Sequence, residues 1–253
     1  MSQFLTHLLP GGKPAATGSL SGRDDPWGSG MWPLHREDIL GDPAEWRNDA
    51  GVALLAPDTA EDAMHVPVTL SVTPLGKVEK LVVTIDYSPI PKVLTFWPGR
   101  ALSFLGFGVK YESGSPLRAS VALGGGRWRM GAHYIDAMGG GCTAPAMAHD
   151  RPDWQDGFGE MRARVWPQTG RLRVWIRHPQ DTGLAPGIAA HHLTEMVIED
   201  AEGEIARVEL HEPVEENPVL TFLLPVDLAS GAINIRARDN LGYLFEGRVE
   251  GNA

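Results

Sequence analysis

The sequence predicts an all-β protein: two immunoglobulin-like β-sandwiches in tandem behind one short N-terminal helix. Three observations carry this. First, 30 glycines and 20 prolines punctuate 253 residues, which favours short elements joined by turns over long helices. Second, "VTLSV" and "LVVTID" alternate apolar and polar residues with period two, as strands buried on one face do. Third, two series of about seven strand-like runs are separated by a Gly-, Ala-, Pro- and Asp-rich stretch.

Residues 1–28, including "PGGKPAATGSLSGRDD", read as a disordered leader. "GSGMWPLHREDILGD" then reads as a helix, with Ser29 or Gly30 as cap, Pro33 near its start, Gly41 at its exit and Trp32 and Ile39 facing a core. The first strand series runs "GVALLAP", "HVPVTLSVT", "VEKLVVTIDY", "KVLTFW", "FGVKY", "LRASVAL" and "RWRMGAHYIDAM". "ALGGGRWRM" is a hairpin in which Gly124–Gly126 supply the positive φ angles of the turn. This unit spans residues 29–145. Residues 146–158, "AMAHDRPDWQDGF", read as a linker. The second unit, residues 159–253, runs "EMRARVW", "LRVWIRH", "HLTEMVIED", "EIARVEL", "VLTFLLPV", "AINIRARD" and "YLFEGRV", with turns at "EDAEGEIA" and "DNLG".

The formal net charge is −10 and no Lys/Arg block stands out, which argues against a nucleic-acid partner. No apolar run approaches the roughly 20 residues that span a bilayer. The opening "MSQFLTHLLPGGKPAATG" lacks a basic segment followed by a long apolar one, so the residues alone leave the compartment open.

Cys142 is the one cysteine, which excludes an internal disulfide framework. It sits in "AMGGGCTAPA", with no bulky neighbour between Met138 and Met147. Most unpaired cysteines are small buried hydrophobes. Glycine, however, costs ordering entropy and buries nothing, so Gly139, Gly140 and Gly141 read as a thin flexible arm that presents the thiol to other proteins. A cysteine hydrolase would need a rigid base and oxyanion donors, which such an arm does not supply. The expectation is therefore a covalent carrier and not an enzyme. His133 and His149 are close enough in sequence to tune the thiolate.

Metal-ligand patterns are absent: neither H-x-x-x-H nor H-E-x-x-H occurs, and Asp150, Asp153 and Asp156 lack the spacing of a calcium loop. His191 and His192 are adjacent and point to opposite faces if they lie on a strand. No metal or other cofactor is expected beyond a sulfur intermediate on Cys142. "RHPQDTGLAPG", Arg177–Gly187, is a polar loop that frames the mouth near the thiol or is an ordinary connection, and Trp154 is a candidate neighbour of the thiol loop.

Several motifs together resemble a known family. "VALLAPDTAEDAMHVPVTLSV" and "MGGGC" are similar to SoxY; "WIRHPQDTGL", "AAHHLTEMVI", "NPVLTFLLP" and "DNLG" are similar to SoxZ. Over residues 50–250 the chain resembles a fused SoxYZ carrier of bacterial sulfur oxidation, of the kind associated with quinoprotein dehydrogenases. The resemblance implies a periplasmic carrier with sulfur intermediates such as those from thiosulfate bound to Cys142. The implied partners are sulfur-oxidation enzymes or cytochromes, or a quinoprotein dehydrogenase. SoxY ends in a free Gly-Gly-Cys-Gly-Gly tail, whereas here Thr143-Ala144-Pro145 follows and the chain continues. The alternative is a non-catalytic accessory module for such a dehydrogenase.

Overall fold

The computed structural model describes residues 25–251 apart from Pro26, Asp42, Ala44 and Pro152. Most of the leader thus lies outside the described residues. Of the part inside, Asp25 accepts a hydrogen bond from Arg118 at 3.0 Å.

Helix α1 (Trp32–Leu40) begins after Met31, which makes no side-chain cap; neither Ser29 nor Gly30 is the capping residue. Gly41 closes it as expected, at φ 76°, with its N–H on the Arg36 and Glu37 carbonyls. The buried face carries Trp32 and His35, while Ile39 packs half-buried beside Val82, Ala122 and Trp128.

Among the described residues sixteen strands follow in chain order: β1 (Glu45–Asn48), β2 (Ala53–Leu55), β3 (Thr59–Ala60), β4 (Val66–Ser71), β5 (Lys80–Ile85), β6 (Lys92–Trp97), β7 (Phe104–Val109), β8 (Ser115–Gly124) and β9 (Arg127–Ala137) in the first half, then β10 (Met161–Trp166), β11 (Arg171–Ile176), β12 (Leu193–Asp200), β13 (Gly203–Leu210), β14 (Val219–Leu223), β15 (Ala232–Asp239) and β16 (Leu244–Glu250) in the second. The protein is all-β with a short N-terminal helix. A second helical turn, α2 (Val226–Ala229), was not foreseen, nor were the short strands β1 and β3.

The two halves are not beads on a string. One sheet of ten strands runs β1-β9-β8-β5-β6-β13-β12-β15-β16, with β3 against β9; the other, of six, runs β10-β11-β14-β7-β4-β2. Each half contributes strands to both sheets. They meet edge to edge where Leu94 lies opposite Leu210 on β6 and β13, and where Leu105 lies opposite Phe222 on β7 and β14. Pairing removes four exposed edges that would otherwise invite aggregation. The core is continuous across the seam: Phe96 and Phe222 sit with ring centroids 6.0 Å apart in one cluster of buried residues from both halves. Arg100 of the first half also clasps the β12–β13 turn, with a bidentate pair to Asp200 at 2.6 and 3.0 Å and a hydrogen bond to the Gly203 carbonyl at 2.9 Å.

A buried charge docks the helix. Arg118 on β8 is fully buried and donates to both carboxylate oxygens of Asp86 at 2.7 to 3.0 Å, and to Asp25 at 3.0 Å. Its guanidinium lies 4.6 Å from the Trp32 ring and 5.6 Å from Trp27. His35 Nε2 lies 2.9 Å from the Asp86 carbonyl. Arg118→Ala is expected to destabilise the fold by roughly 3–5 kcal/mol, because Asp86 is left buried without its partner. Urea titration checks this, and a loss under about 1 kcal/mol would contradict it.

Candidate functional site

The thiol loop leaves β9 at Ala137 and runs to Met147–Asp150, a short 3-10 turn. Its first residue, Met138, is fully exposed, but Cys142 is fully buried. That corrects the expectation of a slack arm holding an available sulfur. The reason lies in the glycines. A Cβ on Gly141 would fall 2.2 Å from the Ala63 carbonyl oxygen and 2.4 Å from that of Tyr111, so Gly141 is present because the backbone is wedged between two others. Gly139, at φ 103°, would meet the Glu112 carbonyl oxygen at 2.9 Å. Gly140, at φ 88°, has open space around it and serves only the bend. Two of the three arm glycines are therefore packing devices in this conformation.

A carboxylate closes the loop. Glu112, just past β7, accepts from the Cys142 N–H at 3.0 Å, the Thr143 N–H at 3.1 Å and the Thr143 hydroxyl at 3.0 Å. Gly141 donates its N–H to the Tyr111 carbonyl at 3.0 Å. From the second half, Thr182 Oγ1 donates to the Cys142 carbonyl at 2.5 Å. Hydrogen bonds to a charged acceptor contribute about 1.5–3 kcal/mol each and are not additive. The buried side chains of the loop, Cys142 and Ala146, are small, so these polar contacts carry most of its attachment.

The sulfur itself faces the Lys110 carbonyl at 3.9 Å. Burial pushes the thiol up to about 11, against the opposing pull of a hydrogen bond with Ser88 and the positive charge of Lys110, while the Glu112 carboxylate adds to the rise. Lys110 is itself buried, and its Nζ donates to the Gln180 carbonyl. Burial lowers its pKa, opposed by Cys142, Asp181, Glu216 and Glu215. Only about one closed thiol in a thousand is ionised at pH 8. This conformation stores the sulfur as an inert thiol.

Neither candidate histidine tunes it. His133, on β9, faces Asp58 at 3.2 Å. His149 places Nε2 2.8 Å from Asp181, and its ring packs 5.8 Å from that of Trp154. The groups acting on the thiol are Ser88, Lys110 and Glu112, all missed in the sequence because they come from other strand ends. The proximity of Arg177–Gly187 is borne out: Gln180 holds Lys110, Asp181 holds His149 and accepts the Ala146 N–H at 3.4 Å, and Thr182 holds Cys142. Residues 146–158 are not a loose linker. Glu216 accepts the N–H groups of Met147 at 2.7 Å and Ala148 at 3.1 Å, and Phe158 packs edge-on against Tyr243 and Phe245, with centroids 5.5 Å away in both cases.

The β11–β12 connection and the end of β15 also bring together His178, His191 and Asp239, whose ligand atoms lie within 4.8 Å of one another. The ring of His178 decides how the group works. Its Nδ1 accepts the Gln180 N–H at 3.2 Å, so in the neutral ring the proton sits on Nε2, which faces Asp239 Oδ2 at 3.5 Å. A metal ligand would need that Nε2 lone pair free and a proton on Nδ1, which the Gln180 N–H opposes. Burial, with the nearby charge of His191, lowers His178 to about 3 and keeps it neutral. Asp239 also accepts from His191 at 2.9 Å and from the N–H groups of Leu241 and Tyr243 at 3.0 and 2.8 Å. The cluster is a hydrogen-bonded brace joining the "HPQDTG" loop to the "DNLG" turn. No helix among the described residues is long and apolar enough to cross a membrane.

Comparison with known proteins finds a family match in the first half of the chain. Residues 36–142 match the family model of the sulfur oxidation protein SoxY, and the match ends on Cys142. Among solved structures, the sulfur carrier protein SoxY from Chlorobium limicola f thiosulfatophilum aligns with 16% identity and a TM-score of 0.35, covering 40% of this chain and 94% of that one. No curated protein matches the sequence.

Two outcomes test the closed loop. A thiol whose pKa is raised by closure stabilises that state fully below the ordinary thiol range, near 8.5, and loses this contribution as pH rises towards about 11. Iodoacetamide labelling of the native protein should therefore be slow and keep rising about tenfold per pH unit through pH 10, where a free thiol has levelled off. A plateau near pH 8.5 would contradict it. Gly141→Ala and Glu112→Gln should each speed labelling at pH 7.5 by roughly 10–100-fold, the first by steric expulsion and the second by loss of the charged acceptor. Unchanged rates would show that these contacts do not hold the loop.

Proposed function

We propose that this chain is a covalent carrier of sulfur intermediates, loaded on Cys142 when the loop Met138–Ala146 swings off its seat. The observation that carries this reading is the SoxY family match, which runs through the first half and ends on the chain's one cysteine. On this reading the second half stands where SoxZ stands in a two-subunit carrier, and its Gln180–Thr182 segment supplies the far wall of the thiol's seat.

The closed conformation supports a division of labour. While shut, the loop keeps the sulfur protonated and away from solvent. Opening takes Cys142 away from burial and from the Glu112 carboxylate, the two influences that raise its pKa, so exposure and activation come together. The thiolate then attacks a sulfur centre of the incoming compound: a bond forms from Sγ to that sulfur, and the group it displaces leaves with the bonding pair. Partner enzymes of sulfur oxidation act on the cargo, and the chain is not itself the catalyst. Fusion of the two halves tethers the loop at both ends, so its excursion is shorter than a free tail's. Periplasmic residence and a thiosulfate-derived cargo follow from the same kinship.

The burial of Cys142 favours a second reading, in which the thiol is structural and the chain is an accessory module of a quinoprotein dehydrogenase system. Intact-mass spectrometry of protein purified from its host separates the two. The carrier reading expects adducts on Cys142 that dithiothreitol removes and that Cys142→Ser abolishes. A uniformly unmodified thiol, with Cys142→Ser fully active in the host, would overturn it.

A further inference from the structure

A groove of about 190 Å³ lies on the second half, with Ala148 of the thiol-loop segment in its lining. Its walls carry Trp154, Trp175 and three guanidiniums, those of Arg151, Arg162 and Arg177. In a chain of formal charge −10, a hollow lined by three arginines against two carboxylates, Glu160 and Glu216, is locally positive. We propose that this groove binds a small oxyanion, with Arg177 as its anchor.

The charges in the groove decide the point. Arg162 pairs with Glu160 at 2.8 Å, and Arg151 with Asp153 at 3.3 Å. Arg177 instead donates to the Asp153 carbonyl at 3.3 Å; the Asp153 carboxylate feels its charge but is hydrogen-bonded to Arg151, so among the described residues no carboxylate makes a direct ion pair with Arg177. Two carboxylates face the groove, Glu160 and Glu216. Glu160 is held by Arg162, while Glu216 is buried and takes N–H donors from Met147, Ala148 and Asn217 on its oxygens. A planar guanidinium presents paired N–H donors that match an oxyanion's edge. Arg162 also lies 5.1 Å over the Trp175 ring, which restrains its side chain and lowers water access on that side. The volume equals the share of about six liquid waters, enough for one tetrahedral oxyanion with part of its hydration. Gly157, at φ 83°, leaves room for Arg177, since a Cβ there would sit 3.3 Å from its Nη1.

The groove and the thiol's seat share a wall. His178 and Pro179 line the groove, and the next three residues hold Lys110, His149 and Cys142 from the other side. Glu216 borders the groove and anchors the C-terminal limb of the loop at Met147 and Ala148. An oxyanion bound here is therefore placed next to the loop's hinge. If the chain carries sulfur compounds, the natural ligand is the anionic end of a sulfur oxyacid; that identification rests on the carrier reading, whereas oxyanion binding does not.

The test is isothermal titration of the full chain with sulfite, thiosulfate and phosphate in turn, over a constant chloride background, with tryptophan fluorescence as a second readout from Trp154 and Trp175. Saturable binding of at least one of the three is expected, weakened at least tenfold by Arg177→Gln and unchanged by Cys142→Ser. The tightest of the three identifies the source of the ligand. If Arg177→Gln does not fold, the exposed Arg162→Gln replaces it, with the same expected direction. No saturable binding of any anion, or equal affinity in the arginine variant, overturns the proposal. The carrier reading fails separately, through the absence of adducts on Cys142, and such a failure leaves binding by the Cys142→Ser protein intact.

Discussion

Strand pairing across the middle of the molecule, β6 with β13 and β7 with β14, is the constraint on which the site depends. Each half supplies one wall of the thiol's seat. Lys110 and Glu112 continue from β7, and Gln180–Thr182 come from the loop after β11. Without the seam those walls would not face each other, and Cys142 would have a seat on one side only. The Arg100 clasp on the β12–β13 turn and the shared core hold the same register from outside and inside. A substitution that loosens the seam should therefore act on the thiol at a distance.

The seat itself resolves a conflict between keeping a thiol and using it. A permanently exposed sulfur reacts with any oxidant it meets, and reactivity follows thiolate character and access together. Here both are withheld at once, by burial and by a carboxylate. On the proposed carrier reading, both are returned at once when the loop opens. The attachment is mostly polar and confined to a few groups, with Glu112 and Thr182 foremost. Such contacts are specific in geometry yet modest in free energy. That combination suits a segment drawn from the low-stability end of the fold.

Much of the architecture was legible in the residues. Period-two alternation, turn glycines and the spacing of apolar runs gave nearly all the longer strands and their division into two series. The edge-to-edge fusion was not legible, because an interior strand at a seam reads like any other buried strand. The glycines of "MGGGC" show the limit most clearly. Glycine is selected both for freedom and for close approach, and composition cannot separate the two; only the 2.2 Å encounter of a hypothetical Gly141 Cβ with the Ala63 carbonyl does so. Proximity in sequence misled in the same way for His133 and His149, since the groups that act on the sulfur come from residues 88, 110 and 112. The His178–His191–Asp239 brace was invisible because His178 and His191 are 13 residues apart along one loop and Asp239 comes from the distant end of β15.

The central claim is that the thiol's seat is a closed state of a segment that opens while the surrounding sandwich stays folded. Native-state amide hydrogen exchange reads that opening directly, without touching the sulfur. The account predicts that the amides of Gly141, Cys142 and Thr143 exchange at least about 100-fold faster than those of Ala119 and Val121 in the middle of β8, through an opening far smaller than global unfolding. Protection of those three amides equal to that of Ala119 and Val121 would mean that the loop opens only when the whole fold does, and would contradict it.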